Sequence, residues 1–283
     1  MAQPSVIKTA SEMQSISRDA IKNSKSVGFV PTMGALHAGH KTLIERARKE
    51  NDIVVVSIYV NPTQFGPDED FERYPRPIED DKKLCADAGV DFIFAPETLY
   101  APDARTWVHV GQLEDPLCGM SRPGHFCGVA TVVTKLLSIV RPDRAYFGRK
   151  DAQQLLIIQN LARDLDLGCE IVPCETVREA DGLAMSSRNK YLSPGERRQA
   201  LSISKALNYC KTKIEGGERD AMSLLEGMME ILQQQPDVDV DYVVLVNADT
   251  LEDLVELEGD VLAAIAAKVG KTRLIDNMRL EGL

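Results

Sequence analysis

The 283-residue chain has no apolar run long enough to cross a bilayer: the longest, residues 53–60, contains a serine, whereas a helical span takes about 20 apolar residues. Its first 20 residues lack a basic segment followed by an apolar block, so no secretory signal is expected. There is no block of basic residues. The net charge is −10, and both halves of the chain carry an acidic excess. That argues against nucleic acid or an anionic membrane as a main partner, but leaves room for a small anionic ligand held by a few placed cations. The six cysteines, at 85, 118, 127, 169, 174 and 210, form no Cys-x-x-Cys pair. Without a signal segment they are expected to be reduced thiols in a cytoplasmic protein. No internal repeat or low-complexity segment is present, and neither the Walker A pattern nor Gly-x-Gly-x-x-Gly occurs.

What the chain does have is Pro31-Thr32-Met33-Gly34-Ala35-Leu36-His37-Ala38-Gly39-His40. The apolar run 27–30 leads into it and the amphipathic segment 41–51 follows, which predicts strand, tight loop, helix. A helix N-terminus offers backbone N–H groups and partial positive charge, which suits a phosphate. Two histidines three residues apart add ring donors there. Zinc is a poor alternative, because the metalloprotease pattern sets its histidines at i, i+4 around a glutamate. No protein-held metal is expected. A plain strand–turn–helix connection with surface histidines is the remaining alternative.

With 44% hydrophobic and 27% charged residues the composition is that of an ordinary globular protein, and the length suggests two domains. Helices are expected over 11–25, 41–51, 78–88, 129–140 and 152–165. Strands are expected over 27–30, 52–60, 92–95, 106–110, 143–147 and 170–173. Residues 52–60, apolar but for Asp52 and Ser57 and rich in β-branched residues, read as a strand buried on both faces of a parallel sheet. Asn61 and Gln64 follow it, at the strand end where such sheets bind ligands. Asp80 and Asp81 start a helix; they could face a magnesium ion, but adjacent carboxylates there more often only complement the dipole. The glycine-rich stretch 117–128, with Arg122 and His125, reads either as a connector or as a loop over a ligand. After the strand 143–147 comes Gly148-Arg149-Lys150-Asp151, with Asp151 placed to cap the next helix. Lys150, and Gln154 one turn on, are expected at the same crevice as His37 and His40. Residues 178–191 contain Met185-Ser186-Ser187-Arg188-Asn189, in which a guanidinium can hold two phosphate oxygens at once. A domain boundary is expected here, giving an N-terminal domain over 1–181 and a smaller one over 182–283. Helices over 194–214 and 219–234 and strands over 241–246, 261–269 and 272–277 fill the second.

His-x-Gly-His after a strand, with a Met-Ser-x-x loop further on, resembles the adenylate-forming nucleotidyltransferase superfamily. Tyr59-Val60-Asn61-Pro62-Thr63-Gln64-Phe65, Arg122-Pro123-Gly124-His125-Phe126-x-Gly128-Val129 and Phe147-Gly148-Arg149-Lys150-Asp151-Ala152-Gln153-Gln154 narrow this. In this order and spacing the chain resembles the pantoate–β-alanine ligase family along its whole length. Many relatives carry an acidic residue where Ala38 stands; both histidines are retained, so the same chemistry is expected.

The resemblance implies a Rossmann-like parallel sheet with helices on both faces, plus a smaller α+β C-terminal domain acting as a lid. It implies an ATP-dependent condensation of pantoate with β-alanine to pantothenate through a pantoyl adenylate, releasing AMP and pyrophosphate. His37, His40, Lys150 and Arg188 would be catalytic, with His40 as proton donor. The ATP site would draw on Met33, Gly34, Ala35, Leu36, His37, Ala38, Gly39 and His40. Gly148, Arg149, Lys150, Asp151 and Val177, with Met185, Ser186, Ser187 and Arg188, would complete it. Gln64, Gln154 and Asn61 would hold pantoate, with Gln64 also near β-alanine. Mg2+ would arrive on the ATP phosphates, with no tightly bound prosthetic group, and the family implies a homodimer. A cytidylyltransferase of similar fold would instead leave a nucleotide on its product. A non-catalytic nucleotide sensor would not need these cations, and an aminoacyl-tRNA synthetase would need a basic surface that the charge does not supply.

Overall fold

The computed structural model describes residues 3–67 and 69–283. The chain forms two compact units. The first comprises the residues up to Asp115 together with Arg122–Gly148 and Gln153–Glu175; the second takes Pro116–Ser121, Arg149–Ala152 and Thr176–Leu283.

The first unit is a six-stranded sheet, all parallel, built from Ser5–Ile7 (β1), Val27–Thr32 (β2), Ile53–Ile58 (β3), Phe92–Phe94 (β4), Arg144–Gly148 (β5) and Glu170–Cys174 (β6). The order is β1-β4-β3-β2-β5-β6. The chain moves outward from β2 through β3 to β4, then crosses back to β5 on the other side of β2. Strand order therefore reverses between β2 and β5, which is where open α/β sheets take their ligands.

Alternate strand residues feed two cores. Phe29, Val55, Phe94, Ala145 and Phe147 pack on one face with Ala10–Lys22 (α1) and His125–Val140 (α5). Val30, Val54, Val56, Ile93, Tyr146 and Val172 pack on the other with Ala38–Glu50 (α2) and Ile78–Asp87 (α3). Strands buried on both faces explain the largely apolar run of β3. Helix α1 is capped by Thr9, whose hydroxyl accepts from the Glu12 N–H. Ser17, buried within it, donates to the Val140 carbonyl at 2.6 Å and so ties α1 to the end of α5.

The second unit has a core of its own. Pro194–Glu215 and Ala221–Gln233 pack on an antiparallel sheet of Val238–Asn247, Val261–Val269 and Thr272–Leu280, in that order. Ser193 and Glu196 form a reciprocal capping box at the first of these helices, with Pro194 at its first position.

Three expectations need correction. Residues 106–110 are not a strand: the Val108 N–H goes to the Thr131 hydroxyl at 2.9 Å, and Trp107 is half exposed. The helix expected from 129 begins at His125, because Gly124 in the left-handed region (φ +80°) turns the chain into it. Asp151 does not cap the following helix; a 3-10 turn, Arg149–Asp151, runs straight into Ala152–Asp164. The edge strand β1 was not expected, being only three residues long.

Candidate active site

Strand β2 ends in the histidine loop, where Gly34 (φ +87°) and then Ala35 (φ +51°) adopt the left-handed region. No other residue type fits at Gly34, since a Cβ there would lie 2.9 Å from Asp81 Oδ2 and 3.0 Å from Ile58 Cγ2. Asp81, in the first turn of α3, is 2% exposed. Its Oδ2 accepts from Ala35 N–H at 2.9 Å and its Oδ1 from Leu36 N–H at 2.7 Å.

Helix α2 begins with the two histidines serving each other. The Gly39 N–H donates to His37 Nδ1 at 3.1 Å, and the His37 N–H donates to His40 Nδ1 at 3.3 Å. The ring centroids are 4.1 Å apart. Each Nδ1 is thus an acceptor, so each neutral ring carries its proton on Nε2. The helix cap fixes both tautomers and leaves both rings as Nε2–H donors.

Strand β3 leaves the sheet at the same edge, with Ile58 in register with Thr32. Asn61, 1% exposed, is saturated. Its Nδ2 donates to Gln64 Oε1 (3.0 Å) and the Gly128 carbonyl (3.2 Å), while its Oδ1 accepts from the Thr63 and Tyr100 hydroxyls at 3.0 and 2.9 Å. The Gly128 carbonyl can only accept, which sets the orientation of the Asn61 amide and then of Gln64. Gln64 has its Oε1 committed, while its Nε2 has no hydrogen-bond partner among the described residues. It is an aimed donor.

Arg122 and His125 hold the same turn from behind. Arg122 pairs with both oxygens of Glu69 at 2.6 and 2.7 Å, and His125 Nδ1 donates to the Gln64 carbonyl at 2.8 Å. The guanidinium faces His125 Nε2 at 2.9 Å. Burial works against the Glu69 charge, yet the Arg122 bonds outweigh it and hold the carboxyl below its usual range. These are the polar residues of the glycine-rich stretch, and the contacts just described run inside the protein.

Gly128 lets α5 approach this turn: a Cβ there would sit 2.3 Å from the Thr63 carbonyl oxygen and 2.8 Å from Gln64 Cα. Gly128→Ala is therefore expected to destabilise the protein by about 1–3 kcal/mol through overpacking against backbone. Urea melts should show a lower midpoint at an unchanged slope; an unmoved midpoint would mean the turn yields freely.

In the second unit, Lys150 lies in the 3-10 turn Arg149–Asp151. The carbonyls of Arg149 and Lys150 both accept from Asn277 Nδ2, at 3.0 and 2.7 Å. The Lys150 ammonium is 4.0 Å from Asp151, a loose pair. The Met185 N–H bonds the Val177 carbonyl at 2.9 Å, bringing together two residues expected at the nucleotide. Beside them Arg178 makes a two-pronged pair with Asp276, which is 3% exposed. Ser186 Oγ accepts from the Arg188 N–H at 3.2 Å and opens the turn Ser187–Tyr191. Gly148 ends β5, and Gln154 is half-buried in the first turn of Ala152–Asp164.

Sequence reasoning missed Glu69, Asp276 and Asn277, and weighed for Asp81 a dipole or magnesium role rather than a hold on the histidine loop. The adjacent Asp276-Asn277 in an otherwise strand-like run was the available signal. Among the described residues no group of three or more His, Cys, Asp or Glu could hold a metal ion. Asp81 spends both carboxylate oxygens on backbone N–H groups. No helix among the described residues is long and apolar enough to cross a membrane.

Comparison with known proteins gives the family. The family model described as pantoate-beta-alanine ligase matches residues 5–279. The pantothenate synthetase of Thermotoga neapolitana is 53% identical over 274 residues, covering 96% of this chain and 98% of that protein. The pantothenate synthetase of Caldicellulosiruptor bescii is 52% identical over 278 residues, covering 98% and 99%. The crystal structure of pantothenate synthetase from Thermus thermophilus superposes with a TM-score of 0.91 at 44% identity, covering 97% of this chain and 98% of that one. A pantoate-beta-alanine ligase from Francisella tularensis, solved with a β,γ-ATP ligand and β-alanine, superposes at 0.81 with 35% identity, covering 97% of each chain. With the family model matched over residues 5–279 and relatives more than 50% identical along nearly the whole chain, the protein belongs to the pantoate–β-alanine ligase family.

Proposed function

We propose that this ligase joins pantoate to β-alanine in two steps through a pantoyl adenylate. A pantoate carboxylate oxygen attacks the α-phosphorus of ATP and pyrophosphate leaves. The β-alanine nitrogen then attacks the activated carbonyl carbon; AMP leaves and the amine proton is lost to solvent. The observation that carries this reading is the pair of histidines locked as Nε2–H donors at the start of α2. Negative charge grows on the phosphates as the α-phosphorus is attacked, and donors already oriented there stabilise it without reorganising.

In this reading His37 and His40 donate Nε2–H hydrogen bonds to the phosphates, each ring keeping its proton. Lys150 and Arg188 supply positive charge, and Ser186 and Ser187 supply hydroxyls. The stretches 33–40, 148–151, 177 and 185–188 bind the nucleotide, the smaller C-terminal domain over 182–283 serving as the lid. Gln64 and Gln154 take pantoate, Gln64 also faces β-alanine, and Asn61 contributes by holding Gln64. Mg2+ arrives with ATP, and the working form is a cytoplasmic homodimer.

The test is exchange of labelled pyrophosphate into ATP without β-alanine. Exchange should depend on pantoate, because the adenylate forms before the amine enters. Equal exchange without pantoate, or none with it, would sink the adenylate route.

A further inference from the structure

Successive backbone N–H groups in a tight turn can make a concavity that binds anions. The Gly34–Ala35 turn is such a concavity, and its position before α2 makes a ligand phosphate the obvious occupant. The occupant is Asp81 instead, with one carboxylate oxygen on each of the Ala35 and Leu36 N–H groups. The aspartate is buried and comes from a different helix.

We infer that Asp81 is a positioning residue for the histidine pair: its carboxylate holds Gly34, Ala35 and Leu36 in the turn that places His37 at the cap of α2. The inference rests on the reading that His37 and His40 meet the triphosphate. Ala35 makes the point locally. A residue with a Cβ is disfavoured at φ +51°, and it persists only where its surroundings hold it. The hydrogen bonds from Asp81 are charge-assisted, the stronger kind. Two residues further on, His37 must take extended backbone (φ −137°) so that its ring can accept from Gly39 while its own N–H reaches His40. A turn that relaxes at Ala35 loses that entry angle, and with it the lock on both rings. Asp81 need not touch a substrate to matter.

Asp81→Asn keeps the shape but offers an amide donor to one of the two backbone donors. Adenylate formation at saturating substrates should fall roughly ten-fold, the loss expected of one broken anchor, while the KM for pantoate stays within about two-fold. The distinguishing measurement is a double-variant cycle with His40→Ala. Acting through the histidines, Asp81→Asn should cost little further once His40 is gone; a merely structural role would cost the same factor in either background. Wild-type pyrophosphate exchange, run alongside, separates failure of this inference from failure of the adenylate reading. A folded Asp81→Asn with wild-type rate, or a loss undiminished in the double variant, overturns the inference. Should Asp81→Asn not fold, the unaltered protein decides: ring nitrogen NMR shifts must show His37 and His40 as fixed Nε2–H tautomers without ligand, and averaged tautomers overturn it.

Discussion

Lys150→Ala and Arg188→Ala should each slow adenylate formation by roughly 10²–10³-fold, the usual loss when one transition-state donor is removed. The expectation rests on how the fold treats the two cations. The chain is strongly acidic overall, so cations beside glycine-bearing turns are not a generic surface feature. Lys150 is mostly buried, its side chain only 21% exposed, and its nearest carboxylate is 4.0 Å away. Its backbone is pinned by Asn277 through two carbonyls. Arg188 follows closely on Ser186, whose hydroxyl accepts its N–H, in a segment anchored by the buried Arg178–Asp276 pair. Fixing the backbone under a flexible cation lowers the entropy lost when it meets a phosphate. Single-turnover rates at saturating ATP and pantoate are the measurement. A near-normal rate in either variant would show that its charge is merely solvated. Lys150→Arg should recover only part of the loss, since a planar fork replaces a compact point charge.

Much of the sheet is legible because local signals and global packing agree. The run 52–60 reads as a doubly buried strand, and its part Ile53–Ile58 is one. The capped start of Pro194–Glu215 is written in Ser193, Pro194 and Glu196. The strand expected over 106–110 failed for a physical reason: a strand needs a ladder, and composition cannot tell that Thr131 will take the Val108 N–H first. The motifs expected to bear the chemistry are equally visible, being short stretches in which glycine and polar residues stand together. Their supports are not. Asp81 lies 45 residues from Leu36, Glu69 lies 53 from Arg122, and Asn277 lies 127 from Lys150. Each is an ordinary polar residue in its own neighbourhood, and only the folded chain shows what it holds. Asn61, expected at pantoate, makes four hydrogen bonds inside the protein, and only the folded chain shows them.

Gln64→Ala should weaken pantoate binding by very roughly 10- to 100-fold and slow adenylate formation, with ATP affinity held within a few-fold. The magnitude is that of leaving a buried polar group unpaired, about 1–3 kcal/mol. Gln64 is 9% exposed and follows the end of β3. Both ends of its setting are fixed. Its carbonyl accepts from His125, and its side-chain Oε1 accepts from Asn61. The amide therefore acts as a donor, through Nε2, and a donor is what a carboxylate or a hydroxyl oxygen requires. This separates two substitutions that composition would treat alike. Gln64→Glu keeps the shape and the bond to Asn61 but sets an anion where pantoate brings its own carboxylate. It should therefore bind pantoate more weakly than Gln64→Ala, because like charges close together in a partly desolvated site repel strongly. ATP is held by other groups in this reading, so neither variant should lose it. Titrating each ligand separately into the two variants decides the matter. Unchanged pantoate affinity with lost ATP binding would put Gln64 in the wrong subsite, and Gln64→Glu binding pantoate as well as wild type would mean the residue accepts rather than donates.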